Sequence, residues 1–136
     1  MASGIGRTIR QAILDHLLKT GTWTAPADIY VALYTAAPTA TGGGTELSSA
    51  GGSGYARIKH NAWNASTAAE PSVATNDGAI TFPVAGTSWG AIVAFGLFDA
   101  LTSGNFLAYG VCSKTISVGD IAYFADQQLQ ITLNES

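Results

Sequence analysis

The side chains that most often perform catalysis or bind metal ions are few in this sequence and lie far apart. Neither His16 nor His60 has a Cys, His or carboxylate at the spacing of a metal-ligand set. Cys112 is the single cysteine, so it cannot form an intramolecular disulfide. Because its neighbours in the sequence are apolar, we expect Cys112 to be a small, buried side chain in a strand and not a nucleophile.

The nine carboxylates form no recognisable catalytic arrangement. Asp77, Asp99 and Asp120 occur in sequences typical of turns, where Asp hydrogen-bonds to nearby backbone. A glycosidase needs two carboxylates that face each other across a cleft, and no spacing here indicates such a pair. The motifs of zinc proteases, serine hydrolases and Cys-x-x-Cys redox proteins are absent. The sequence therefore predicts that the protein is not an enzyme and needs no metal or other cofactor.

The composition predicts a surface that is partly covered by other protein. The chain has 136 residues, which favours one domain over residues 1–136. Charged residues make up 11% of it, whereas about 25% is typical, and interface cores are depleted in charge. Because the six Lys and Arg form no basic stripe and no run of 18 apolar residues occurs, neither nucleic acid nor a membrane is an expected partner.

The N-terminal sequence lacks the basic-then-apolar order of a secretory signal. The two Asn-x-Ser matches, at Asn64 and Asn134, are therefore not interpreted as glycosylation sites.

One helix is predicted, over residues 5–20. Ile5, Ile9, Ile13 and Leu17 recur every four residues and form an apolar stripe. Ser3 or Gly4 is expected to cap the helix start, and Gly21 is expected to end it. The stripe predicts that the helix packs one face on a sheet.

Short strands with turn signals between them occupy most of the remaining chain, a pattern typical of a sandwich or barrel. Residues 28–35 are apolar on both faces, so this strand should be central in its sheet and covered by other elements on both faces. Trp89, Phe95, Phe98 and Phe124 are expected in the core. The predicted fold class is mainly β, a compact sandwich or barrel of seven or eight strands with one N-terminal amphipathic helix. The strands are predicted at residues 28–35, 55–61, 79–82, 91–98, 106–112, 114–118, 121–124 and 128–133.

Residues 36–54 are rich in Gly and Ser and predict a long flexible loop. The run Gly42, Gly43 and Gly44 is not followed by Lys-Ser or Lys-Thr, and no strand leads from it into a helix, so a phosphate-binding loop is not indicated. Long loops often become ordered on a partner. We expect this segment to be mobile in the free protein and ordered when assembled, and these three glycines to lie at an interaction surface.

Three further residues are candidate contact residues. Trp63 lies in a polar context, so its indole is the best candidate for an exposed contact. Tyr55 and Arg57 alternate with small or apolar residues in a predicted strand directly after the flexible loop. An alternative role for the aromatic side chains is to form a platform that binds sugar rings.

Several stretches, taken in order, resemble a family of small virion proteins of tailed bacteriophages, often labelled tail fibre or head decoration proteins. The resemblance covers nearly the whole chain. It rests on the helix, on the Gly-rich segment with Glu46 and Leu47, and on residues 25–38, 54–57, 76–83, 88–90, 95–100, 104–110 and 116–120. It implies a component of the virion, assembled in the host bacterial cytoplasm, and it supplies no catalytic residues to carry over.

The leading functional hypothesis from the sequence is a head decoration (cement) protein that binds and stabilises the major capsid lattice. A tail, baseplate or tail-fibre component is the alternative, and the sequence has no coiled-coil or β-helical shaft, which counts against a free-standing fibre. A third hypothesis is that the protein is a carbohydrate-binding module. The expected partners are the major capsid protein or tail proteins of the same phage, and further copies of the chain in a homo-oligomer, with a trimer favoured.

Overall fold

The computed structural model describes residues 3–133. The Asn-x-Ser match at Asn134 lies outside this part of the chain. Within it there are ten strands and one helix: β1 (Ser3–Ile5), α1 (Arg7–Leu17), β2 (Tyr30–Ala36), β3 (Thr45–Glu46), β4 (Ile58–Lys59), β5 (Ser72–Thr75), β6 (Ile80–Val84), β7 (Gly90–Phe98), β8 (Phe106–Ile116), β9 (Ile121–Phe124) and β10 (Gln130–Leu133).

The larger layer is an antiparallel sheet with the strand order β1-β8-β7-β2-β3, in which β4 also pairs with β2. Its centre is the β7–β8 hairpin, which pairs from Phe98↔Phe106 to Gly90↔Ile116 with two register shifts along its length. Asp99 closes the hairpin turn, because its carboxylate accepts hydrogen bonds from the backbone N–H of Asn105 at 2.7 Å and from that residue's side-chain amide at 2.8 Å. Strand β2 is buried through its middle, as expected of a central strand covered on both faces.

Two short antiparallel pairs, β5–β10 and β6–β9, lie outside the larger sheet. One core of apolar side chains joins the larger sheet to β6 and β9, with Phe95 of β7 against Phe124 of β9 at a ring separation of 6.4 Å. The four aromatic residues expected in the core are all buried: Trp89, Phe95, Phe98 and Phe124. The prediction of a mainly β, sandwich-like fold with one N-terminal helix is confirmed.

Strand boundaries differ from the prediction where polar residues were interpreted as breaks. The strands predicted at 106–112 and 114–118 form one strand, β8, which ends at Ile116. Lys114 does not interrupt the pairing with β7, and its ammonium lies 4.8 Å from the centre of the Phe124 ring. Strand β6 passes through Pro83, which was expected to end it. A register shift between Thr81 and Val84 accommodates the missing N–H of the proline.

Other differences concern short elements. The strand predicted at residues 55–61 is reduced to β4, and β10 begins at Gln130 instead of at residue 128. The two- to four-residue strands β1, β3 and β5 carry too little alternation to be recognised from sequence.

The helix is shorter than predicted at both ends. Residues 3–5 pair with β8, and the backbone N–H of Gly6 donates to the carbonyl of Leu107 at 2.7 Å, so Gly6 is the N-cap in place of Ser3 or Gly4. The helix ends before Lys19, whose φ of 64° is left-handed, and not at Gly21. Within residues 3–133, no helix has the length and apolar content needed to cross a bilayer.

Candidate functional site

Arg57, a predicted contact residue, lies inside the protein and not on its surface. Its guanidinium forms a two-pronged ion pair with Glu46, with Nη2 2.7 Å from Oε1 and Nε 2.8 Å from Oε2. Nη1 donates to the carbonyls of Ala100 at 3.0 Å and Ser103 at 2.8 Å. The guanidinium carbon also lies 3.7 Å from the centre of the Phe98 ring. Arg57 therefore joins strand β3, the β7–β8 turn and the face of the larger sheet.

Tyr55, the second predicted contact residue of this segment, completes the same buried network. Its hydroxyl donates to Oε2 of Glu46 at 2.7 Å and accepts from the N–H of Leu33 at 3.1 Å. Burial, together with the hydrogen bond to Glu46, raises the pKa of Tyr55 far above its ordinary value. Burial next to Glu46 also raises the pKa of Tyr34 to about 12. Both phenols are therefore neutral over the whole physiological range.

An open groove of about 520 Å³ lies beside this network. Its charged walls are Glu46 and Arg57, whose hydrogen-bonding atoms are mostly occupied by each other and by backbone carbonyls. The remaining polar walls are hydroxyls of Ser and Thr residues. The network holds loops together and leaves few charged donors for a ligand.

The Glu46 carboxyl should make stability sensitive to acid. Burial alone would raise its pKa, but hydrogen bonds from Arg57 and Tyr55 outweigh burial and lower it. A carboxyl whose folded-state pKa is depressed stabilises the fold above its unfolded-state pKa, and that contribution is lost as pH falls through the folded-state value. We therefore expect the melting temperature to fall as pH decreases below about 4.5, near the ordinary pKa of Glu.

The measurement is thermal unfolding followed by circular dichroism from pH 7 to pH 3. The variant Glu46→Gln should be less stable at pH 7 and should lose part of the acid dependence. Asp28→Asn is the matched control, since the solvent-accessible Asp28 carboxylate forms a weak ion pair with Lys59 at 3.9 Å and accepts from the Asn61 amide at 2.8 Å. Equal acid dependence in the wild type and in Glu46→Gln would contradict the prediction.

Trp63 is half-buried, so only part of its ring can contact a partner. The indole N–H donates to the carbonyl of His60 at 2.8 Å, and the two rings meet edge to face at 5.6 Å. A β-bridge to Asn76 also holds the Trp63 backbone. Its role as a contact residue remains a prediction.

The glycine run 42–44 lies in a turn in which Thr39 and Gly42 exchange backbone hydrogen bonds of 2.9 Å. All three glycines have positive φ. At Gly44 a side chain is excluded outright, because a Cβ would lie 2.5 Å from the carbonyl oxygen of Ala36, whereas Gly42 and Gly43 face open space. Segment 36–54 also contains strand β3, so it is not wholly irregular. Whether it is mobile in the free protein remains a prediction.

The helix leaves most of its apolar stripe uncovered. Ile9 packs against the core, but Ile13, Leu14, Leu17 and Leu18 are 37%, 54%, 71% and 63% exposed. We call these four residues the helix surface. The expectation that the stripe packs on a sheet is therefore correct only at its N-terminal end. Pairing of residues 3–5 with β8 anchors the helix start, and no described element covers the rest.

A second exposed apolar surface lies on the outer face of the β6–β9 pair. Val84, Val118, Ile121 and Tyr123 are each at least half exposed. Val84 is paired with Ile121, and Ile121 and Tyr123 alternate with the buried Ala122 and Phe124. We call the four exposed residues the β6–β9 surface. The sequence does not reveal this surface, because both faces of β9 carry apolar side chains. Alternation of apolar and polar residues therefore cannot show which face is exposed to solvent.

The described residues offer no metal site, because within 3–133 no three His, Cys, Asp or Glu side chains come together as ligands. Burial raises the pKa of the half-buried Cys112 to about 11, so its thiol is protonated at neutral pH. The two exposed apolar surfaces are features of the described residues that suit contact with another protein.

Comparison with known families agrees with this geometry. The family model described as Gp80, podophage GP4 fiber I protein gp80, matches residues 4–132 and so spans the helix and almost every described strand. No curated protein matches the chain. The resemblance to virion structural proteins of tailed phages is confirmed by the family match.

Proposed function

The chain belongs to the Gp80 family, described as podophage GP4 fiber I protein gp80, and from this we propose that it is a non-enzymatic structural component of a phage fibre. The match over residues 4–132 is the observation that carries the proposal. The sequence alone favoured head decoration over a fibre. The family description favours the alternative, a tail or fibre component.

The surfaces support a structural role. Soluble monomers rarely leave large contiguous apolar patches exposed, and such patches mark sites of protein contact. This chain has two groups of exposed apolar side chains, the helix surface and the β6–β9 surface. A fibre component that is built into a particle would have such surfaces covered by its neighbours. The proposed partners are therefore tail proteins of the same phage and further copies of the chain.

Attachment to the major capsid lattice is the second candidate. It is supported by the short sandwich body, in which the longest strand, β8, has eleven residues and no extended shaft is present among residues 3–133. A compact unit of this kind suits a protein that sits on a lattice as well as one that forms a globular part of a fibre.

Labelling of the parent particle distinguishes the two. We expect an antibody against this chain, detected by gold in negative-stain electron microscopy, to mark fibres at the tail. An antibody against the major capsid protein is the control for head labelling. Label spread over the head would support the second candidate, and failure to find the chain in purified particles by mass spectrometry would refute both.

A further inference from the structure

The two exposed apolar surfaces lie in parts of the chain with opposite charge. Residues 1–24 contain three basic side chains and one acidic side chain, a net charge of +2. Residues 25–136 contain three basic and eight acidic side chains, a net charge of −5. Together these give the −3 of the whole chain. The helix is therefore the basic part of an otherwise acidic protein.

The basic side chains of the helix extend its apolar surface. Arg7, Arg10, Leu14 and Leu17 follow the spacing i, i+3, i+7 and i+10, which places them along one face. All four are exposed, and neither arginine forms an ion pair with residues 3–133. This face offers two unpaired positive charges at one end and aliphatic side chains at the other.

The β6–β9 surface carries the opposite charge. Asp120 lies at the Ile121 end of β9, where it accepts from the N–H of Ser117 at 2.9 Å. Asp126 lies beyond the other end of β9, where it accepts from the N–H of Gly78 at 2.8 Å. Both are exposed, and residues 78–98 and 115–133 contain no Lys or Arg. The surface is an apolar strip with a carboxylate near each end.

The dimensions of the two surfaces also agree. A helix of eleven residues is about 16 Å long at 1.5 Å per residue. The five residues of β6 span about 16 Å at 3.3 Å per residue. One helix can therefore lie along the strand pair and cover it from end to end.

The start of the helix and the start of the β6–β9 surface lie at opposite ends of the β7–β8 hairpin. The helix starts next to Leu107, near the Phe98–Phe106 end, and the β6–β9 surface begins just after Ile116, at the other end. Ten residues of extended strand separate these ends by about 33 Å. Since neither surface covers the other within one chain, a contact between them must join two chains.

We propose that the helix surface of one copy docks on the β6–β9 surface of a second copy. This inference rests on the proposed structural role and names the partner of its exposed surfaces. The leucines pack against Val84, Ile121 and Tyr123, while the arginines, which lie together at the N-terminal end of the helix, face the carboxylate at one end of that surface. Because the two contacting surfaces differ, the association is head-to-tail, and it gives a closed ring where the rotation between copies closes, with three copies as the expected number.

The test is sedimentation velocity on the purified full-length chain at micromolar concentration. The wild type should be an oligomer. Leu14→Asp/Leu17→Asp should be a monomer, and so should Val118→Asp/Ile121→Asp. Leu101→Asp is the matched control, because Leu101 is 51% exposed but lies in the turn between β7 and β8, and it should remain an oligomer.

Mixing the two monomeric variants gives the sharpest result. Each retains one intact surface, so an equimolar mixture should form a 1:1 dimer that cannot grow further. An interface in which two helices meet each other would leave Val118→Asp/Ile121→Asp associated on its own and would give no heterodimer with Leu14→Asp/Leu17→Asp, and that result would overturn the proposal. A monomeric wild type would overturn it as well, while leaving the fibre assignment to be decided by particle labelling.

A charge variant keeps the proposal testable if either aspartate pair impairs folding. Arg7→Glu/Arg10→Glu alters only exposed side chains and should weaken association at least tenfold at low salt, with a smaller difference at high salt. Unchanged association at low salt would contradict the assigned charge pairing. Circular dichroism of each variant verifies that the fold is intact.

Discussion

Replacing Arg57 by alanine is expected to lower the free energy of unfolding by about 3 kcal/mol, at the lower end of the range for breaking a buried ion pair. The Arg57 side chain is 7% exposed and that of Glu46 is 26% exposed, so water relieves only part of the loss. Removal of the guanidinium leaves the Glu46 carboxylate with the Tyr55 hydroxyl as its one remaining donor in this network. The carbonyls of Ala100 and Ser103 lose their donor at the same time.

Chemical denaturation measures this loss, and a melting temperature lower by about 10 °C should accompany it. Arg57→Lys should recover only part of the stability, because an ammonium cannot reproduce the planar fork that engages both carboxylate oxygens. Lys59→Ala, which removes the exposed ion pair, is the control and should change stability by less than about 1 kcal/mol. A loss of that small size in Arg57→Ala would show that the network does not stabilise the loops.

Replacing Asn76 by alanine is expected to cost about 3 kcal/mol, since several buried backbone groups lose their partners. Asn76 is fully buried, and its amide donates to the carbonyls of Gly78 at 2.7 Å and Ala125 at 3.0 Å. Its side-chain oxygen accepts from the N–H of Leu129 at 2.9 Å. One side chain thus joins the entry to β6, the exit of β9 and the approach to β10.

Two companion variants separate these hydrogen bonds from general effects of truncation. Asn64→Ala should cost less, because the Asn64 amide is only partly buried and donates to Thr75 and to the carbonyl of Asn76. Asn76→Asp places a carboxylate against two carbonyls, so it should be destabilised most at neutral pH and regain stability as acid protonates it. Urea denaturation at pH 7 and pH 5 gives both results. An Asn76→Ala variant with wild-type stability would refute this account.

Loss of either network has a functional consequence under the proposed role. Arg57 holds the loops near the Phe98–Phe106 end of the central hairpin, where the helix also starts. Asn76 holds the strands that present the β6–β9 surface. The two networks therefore support different ends of the molecule, and we expect each to affect the contact surface nearest to it.

The class of the fold and the composition of its core could both be predicted from the amino-acid sequence. Alternation of apolar residues is a local property, so the β7–β8 hairpin and the buried rings of Phe95 and Phe124 could be predicted from neighbours in the chain. The absence of catalytic motifs and the ordered resemblance to phage virion proteins also needed only the sequence. Both pieces of information lie in residue types and in their order.

Which of these features are exposed depends on how distant parts of the chain pack together. Arg57 was predicted to be a contact residue, but its hydrogen-bond partners are Glu46, eleven residues away in the chain, and backbone carbonyls more than forty residues away. Leu17 was predicted to pack on a sheet, but it is 71% exposed. Periodicity shows which side chains share a face, whereas burial depends on whether a distant element reaches that face. The β6–β9 surface became visible for the same reason, because only the packing of Phe124 against Phe95 determines that Tyr123 points outward.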